Sequence, residues 1–329
     1  MPRVVINKKP VDSDTHTYLD YVEILALLNM DGSATIDSAV DRYFDSPGDG
    51  RGDPQQHESL GEEDSEGEVV APVERRVRSA RVQARFSDAM ALASWRMIVY
   101  GADYPFEIAF AGAGLQLRRE LSDRHLLYLF ILVAANLPFV AAGRKQVTDT
   151  FEAVSHAALF SLMPKGSEAH VFGQASATRY SGSAYEKMLA LCRDIRARMT
   201  VSEADFRSSD TGDSGVDLVS WFGMSDEQPN IVVCLGQCAC SRSEWTKKQL
   251  AASPMALSYV SLPGGWSTAI FVPICFRRVG GGWAVATEVA SVIFVDRLRL
   301  MKNVSMENLS CMSAIRAMIV EVRGSEEIV

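Results

Sequence analysis

SSDTGDSGVDLVSWFGMSDEQPNIVVCLGQCACSRSEWTKKQL, residues 208–250, decides how the C-terminal half of the chain is read. A glycine-rich entry leads into an apolar run over Val216–Phe222. A polar turn, Met224–Asn230, leads into a second run over Ile231–Cys240. Two short β-branched and aromatic runs joined by a turn read as paired strands. Asp217 stands at the start of the first, before Leu-Val-Ser-Trp, and a carboxylate there is costly unless it serves a ligand or caps a turn. Side chains alternate along a strand, so Leu235, Gln237 and Ala239 share one face of the second run. Cys234, Cys238 and Cys240 share the other. A tight turn brings Asp217 and Gln237 near each other. Two oxygen-bearing side chains on adjacent strand ends can hold a divalent metal such as Mg²⁺.

Further strands are expected at Thr268–Phe276, Trp283–Thr287 and Val289–Val295, the last two as separate strands or as one long strand, after a Gly280-Gly281-Gly282 hairpin turn. Ser183–Met199 reads as an amphipathic helix before the pair, Trp245–Ala252 as a helix between strands and Ser305–Val320 as the closing helix. This order predicts an α+β fold, with a helical N-terminal region and a C-terminal α/β domain over 176–329 built on a mixed sheet. Residues 75–175 read as mostly helical, with helices at Leu126–Leu137 and Phe151–Leu162. Residues 1–44 read as a small helical segment, with Thr17–Asn29 and Thr35–Phe44 separated by Asp31-Gly32. An EF-hand reading of that break fails, because the loop would start at Leu27 and end at Ser38. The apolar run Leu126–Gly143 is at the lower edge of a membrane span. Asn136 and Pro138 break it, so a buried core helix is expected and a membrane partner is not.

With 329 residues, 47% hydrophobic and 22% charged, the chain can bury a core without disulfides or metals. The net charge of −8 is concentrated. Residues 45–74 hold ten acids and one base, and the rest of the chain carries a net charge of +1. The acidic balance is therefore no argument against a polyanionic partner. Residues 45–74 are rich in Gly, Pro, Ser and acids and read as a disordered linker. Arg75, Arg76 and Arg78 follow it, with Arg81 and Arg85, as a basic stretch suited to phosphate contacts or to a solvated helix face. The polar start and six cysteines predict a reduced, cytoplasmic chain with free thiols.

Three pieces together resemble the PD-(D/E)XK nuclease superfamily, in its Mrr-like restriction endonuclease branch. They are Glu186 in SAYEKMLALC, Asp217 in SGVDLVSW and Gln237 in VVCLGQCAC. The resemblance covers about residues 180–300. It implies a restriction-endonuclease-like domain in which Asp217, Gln237 and Glu186 hold Mg²⁺ or Mn²⁺. The metal would lower the pKa of a bound water and neutralise phosphate charge.

One departure matters. The lysine that the family carries two residues after Gln237 is replaced by Ala239. The resemblance then implies a lysine reaching in from the next helix, Lys248 first and Lys247 close behind, to orient the attacking water and stabilise transition-state charge. Bland readings stand beside these. Ser183 and Glu186 also spell a capping box. Asp217 also suits a turn, Gln237 a structural hydrogen bond and Lys248 a solvated helix face.

Other signals are weaker. The Cys234, Cys238 and Cys240 face lacks a His to complete a zinc site, since no His follows His170. Gly212-Asp213-Ser214-Gly215 is similar to the serine motif of chymotrypsin-like proteases, but no His partner motif accompanies it. Gly112-Ala113-Gly114 has neither a third glycine nor a following lysine for nucleotide binding. The arginines of Asp296-Arg297-Leu298-Arg299 suit phosphate or acid partners.

The resemblance implies a metal-dependent endonuclease that hydrolyses DNA phosphodiesters in restriction or antiphage defence, with DNA as its partner. An ATPase or sensor protein partner is expected beside it, and homo-oligomers are compatible. The alternative is a catalytically inactive nuclease-fold subunit that binds DNA or a partner protein in a defence complex.

Overall fold

The computed structural model of the chain describes residues 2–6, 9–10, 14–46, 72–172, 179–206, 214–241 and 244–324, with the side chains of 72–76 and 78 outside that description. The chain is a mixture of helices and strands and contains a mixed sheet. It divides into two units. One comprises Met1–Arg144, Phe276–Ala284 and Arg316–Val329; the other comprises Lys145–Cys275 and Val285–Ile315.

The first unit is built around α1 (Thr15–Leu28). This helix is apolar on nearly every side, and Tyr18, Leu19, Tyr21, Val22, Ile24 and Leu27 are all buried, as such a helix requires. α2 (Ile36–Asp45) opens with a Thr35–Ser38 capping box, and α3 (Pro72–Tyr100) runs for 29 residues. α4 (Asp123–Ala135) opens with a Ser122–His125 box. The sheet of this unit is antiparallel, in the order β2 (Ser33–Thr35), β4 (Gly114–Leu117), β3 (Phe106–Ala109). β1 (Arg3–Val4) pairs with β5 (Val140–Ala142).

α1 also buries two carboxylates, Asp20 and Glu23, which could not stay charged without close partners. Arg96 of α3 supplies them, its Nη1 donating to Asp20 Oδ1 at 2.7 Å and to Glu23 Oε1 at 2.9 Å. The Tyr104 and Tyr128 hydroxyls donate to Glu23 Oε1 at 2.7 and 3.0 Å.

The second unit contains α5 (Arg144–Leu162), β6 (Glu168–Val171), α6 (Ala184–Asp194), β8 (Leu218–Phe222), β9 (Val232–Cys238), the one-turn α7 (Trp245–Lys248), β11 (Ser267–Phe271), β12 (Ile293–Val295) and α8 (Arg297–Asn303). β7 (Arg198–Met199) and β10 (Val260–Ser261) form a separate antiparallel pair. α9 (Met312–Gly324) closes the described chain. The main sheet has the order β12-β11-β9-β8-β6. β6 with β8 and β8 with β9 pair antiparallel, whereas β9 with β11 and β11 with β12 pair parallel. α6 covers one face, its Met188, Leu191 and Cys192 clustering with Val219, Trp221, Val233 and Leu235.

Several boundaries differ from expectation for physical reasons. The second unit begins at Lys145, not near 176, because β6 pairs with β8 and His156 of α5 is bonded to Ala169 O of β6 at 2.8 Å. Trp283–Val295 is not one long strand. Trp283 bridges Arg277 across the glycine turn, Ala286–Glu288 forms a 3₁₀ turn, and only Ile293–Val295 joins the sheet. The run Leu126–Gly143 is α4, then a 3₁₀ turn starting at Asn136-Leu137-Pro138, then β5. Among the described residues no helix is long and apolar enough to cross a membrane. The expected linker over 45–74 lies mostly outside the described residues; Asp45 ends α2, and Pro72–Glu74 belong to α3.

Candidate functional site

The chain enters β8 through two successive left-handed residues, Ser214 (φ 52°) and Gly215 (φ 78°). A side chain at Gly215 would be strained by its backbone and would sit 3.0 Å from Ala251 Cβ. The register of β8 on β9 runs through Leu218 opposite Gly236, so the next step sets Asp217 opposite Gln237. Gly236 permits this tight seat, because a Cβ there would lie 3.0 Å from the Phe271 ring and 3.3 Å from Leu218 Cβ.

Asp217 and Gln237 are both buried, at 6% and 7% exposure. Gln237 Nε2 donates to Asp217 Oδ2 at 2.6 Å, and the backbone N–H of Cys238 donates to the same oxygen at 2.6 Å. Asp217 is also fixed through its backbone, with its N–H donating to Gly236 O and its carbonyl accepting from Phe172. With the amide nitrogen turned to the carboxylate, Gln237 Oε1 is left buried and accepts no hydrogen bond from the described residues. A buried acceptor without a donor costs about 1–3 kcal/mol. It is therefore a ready ligand atom for a cation or a donor.

The thiols behind the pair report which other charges are near. Burial pushes the Cys238 thiol well above its ordinary value, and the charges of Asp217 and Glu152 push it further. Cys240 is raised by burial and then by Glu152 and Asp217, while the Lys248 ammonium pulls it down. So Glu152 of α5, Asp217 and Lys248 all act on one thiol. Burial keeps both thiols protonated at neutral pH in the cation-free protein. All six cysteines are free.

Lys248 is half-exposed on α7 and Lys247 is exposed. Among the described residues neither makes an ion pair. Ala239 is buried, and its N–H donates to Phe271 O. Glu186 is placed elsewhere than expected. It is exposed, and its Oε2 accepts from the N–H of Ser183 at 2.8 Å while its own N–H donates to Ser183 Oγ at 3.2 Å. This closed capping box, the bland alternative, occupies the carboxylate, and nothing draws it to Asp217 or Gln237. The helix carboxylate that does act in that neighbourhood is Glu152. Its stretch, FEAVSH, carries no motif, and its only sequence signal was an acid in an otherwise apolar helical run.

Arg75, Arg76 and Arg78 lie on α3, but their side chains fall outside the described residues. So do Gly212 and Asp213. Asp296 caps α8 by accepting from Arg299 N–H, and Arg297 is buried with its Nε donating to Pro273 O, which takes it out of any surface patch.

Among the described residues no three His, Cys, Asp or Glu side chains gather as a metal-holding group. The donors at the strand ends are instead one carboxylate and one carboxamide, with Glu152 as the nearby acid. Hard oxygen donors of this kind fit Mg²⁺ or Mn²⁺. Comparison with protein-family models, with curated proteins and with solved structures returns no match.

Proposed function

We propose that the second unit is a PD-(D/E)XK-like, metal-dependent DNA endonuclease domain that hydrolyses phosphodiester bonds, with restriction or antiphage defence as its setting. The observation that carries this reading is the 2.6 Å contact between Gln237 and Asp217 across adjacent antiparallel strands of a mixed sheet. Its support is that Glu152 and Lys248 act on the same thiol as Asp217.

In this reading Asp217, Gln237 Oε1 and Glu152 would hold Mg²⁺ or Mn²⁺. When bound, such an ion supplies a water of lowered pKa and neutralises charge on the phosphate. The chain's own groups do the rest. The amide of Gln237 and the N–H of Cys238 keep the Asp217 carboxylate in one orientation before substrate arrives, so little reorganisation is needed during reaction. Lys248, free of any ion pair with a described residue, has its ammonium available for a non-bridging phosphate oxygen. A neutral Gln237 gives the site one negative charge less than a carboxylate there would, so cation affinity is weaker than in an all-acid site.

Incubation of supercoiled plasmid and linear DNA with the protein and Mg²⁺ or Mn²⁺, beside Asp217→Ala and Lys248→Ala, tests the reading. Cutting that is lost in both variants supports it. Ala239, where the family has its strand lysine, favours the second reading, an inactive nuclease-fold subunit. DNA binding without cutting under every condition would decide for that reading.

A further inference from the structure

Lys248 sits on a helix of a single turn, which has too few internal hydrogen bonds to hold its own shape. Something else must fix it, and two buried side chains do. On one flank Trp245 is buried against Phe294 of β12, with ring centroids 5.1 Å apart. On the other flank Gln249, 3% exposed, uses both ends of its amide. Its Nε2 donates to Glu288 O at 2.7 Å and to Thr246 O at 3.2 Å, and its Oε1 accepts from Ala290 N–H at 2.8 Å. The turn bearing Lys247 and Lys248 is thereby tied to the segment between β11 and β12. The two lysines between the anchors make no ion pair with a described residue.

A buried amide whose donors and acceptor are all satisfied by backbone fixes geometry, and that is what a presented cation requires. Packing alone would be met by a leucine or methionine at 249. We propose that Gln249 is a positioning residue, whose bonds to Glu288 O and Ala290 N–H set where the Lys248 ammonium stands for contact with a phosphate oxygen. The proposal rests on the nuclease reading for its consequence, but its structural part does not depend on cutting.

The experiment uses the full chain carrying Gln249→Met, Lys248→Ala and both together. Gln249→Glu, which keeps the acceptor for Ala290, serves if the Met variant does not fold. Trace acetylation followed by peptide mass spectrometry reads the reactivity of the Lys248 amine, with the exposed Lys165 as internal reference. Gln249→Met is expected to change the Lys248 rate several-fold relative to Lys165. In the cleavage assay kcat is expected to fall about 10- to 100-fold with KM nearly constant. The double variant is expected to be no worse than Lys248→Ala alone, since the two act through one group. Unchanged Lys248 reactivity in a folded Gln249 variant, or losses that simply multiply in the double variant, would overturn the proposal. If wild type does not cut, or Asp217→Ala cuts as well as wild type, the nuclease reading fails, and the acetylation rates alone decide on Gln249.

Discussion

Gln237 Nε2 donates to Asp217 Oδ2 over 2.6 Å, joining the end of one strand to the start of its antiparallel neighbour where both side chains are buried. Removing the donor leaves the carboxylate with the Cys238 N–H as its other bond to the same oxygen. Hydrogen bonds to charged groups contribute about 1.5–3 kcal/mol. Gln237→Leu is therefore expected to lose about that much stability in urea unfolding, and more than Lys247→Ala, which touches no such bond. Equal midpoints for the two variants would show that the bond does not hold the strand ends.

The thiols give a pH test of the charges around the site. Burial chiefly, then Glu152 and Asp217, keep Cys240 protonated above the ordinary thiol value of 9.0, while Lys248 acts in the opposite direction. In the cation-free protein Glu152→Gln should shift alkylation of Cys240 to lower pH, and Lys248→Ala should shift it to higher pH. The same raised values bear on stability. A thiol whose folded pKa lies above its unfolded one contributes fully below pH 9 and loses that contribution as pH rises further. Replacing both Cys238 and Cys240 by Ala should flatten the alkaline limb of the stability curve.

Asp194 gives a test on the acid side. Burial works to raise its pKa, but hydrogen bonds from Arg179 Nε at 2.9 Å and the Tyr180 hydroxyl at 2.6 Å outweigh it and hold the carboxyl below its ordinary value of 3.8. Its contribution is present above pH 3.8 and is lost as pH falls through the lower folded value. Asp194→Asn should lower the melting temperature at pH 7, and the gap to wild type should close as pH falls below 3.8 and through the lower folded value.

In the first unit, Arg96 faces Asp20 and Glu23 with all three side chains at 0% exposure. Breaking such a buried group by removing one partner costs about 3–5 kcal/mol. Arg96→Met leaves two buried carboxylates without their cation and should show that full loss by calorimetry. Replacing Arg96, Asp20 and Glu23 together by apolar residues of similar size should recover much of it.

Much of the second unit is legible in the amino-acid order because its strands are short, apolar and separated by turns. Asp217 and Gln237 meet because a hairpin fixes its own register, and that needs only local sequence. Three things were not legible. Glu152 comes from α5, before β6, and no spacing rule links it to Asp217. Glu186 had two readings that the sequence could not separate, and the backbone N–H of Ser183 at the helix start took its carboxylate. The strand expected over Trp283–Val295 is apolar enough, but the Gln249 amide binds Glu288 and Ala290 and holds that stretch out of the sheet. The first and third turn on a partner distant in sequence, and the second on a local choice between a cap and a site.

The most direct measurement is Mn²⁺ binding to the full chain, read by calorimetry or by electron paramagnetic resonance of the free ion, for wild type, Asp217→Ala and Glu152→Gln. The account predicts that wild type takes up the ion, that Asp217→Ala takes up none at the same concentrations, and that Glu152→Gln binds more weakly, with each variant still folded by circular dichroism. Equal uptake by all three would contradict it.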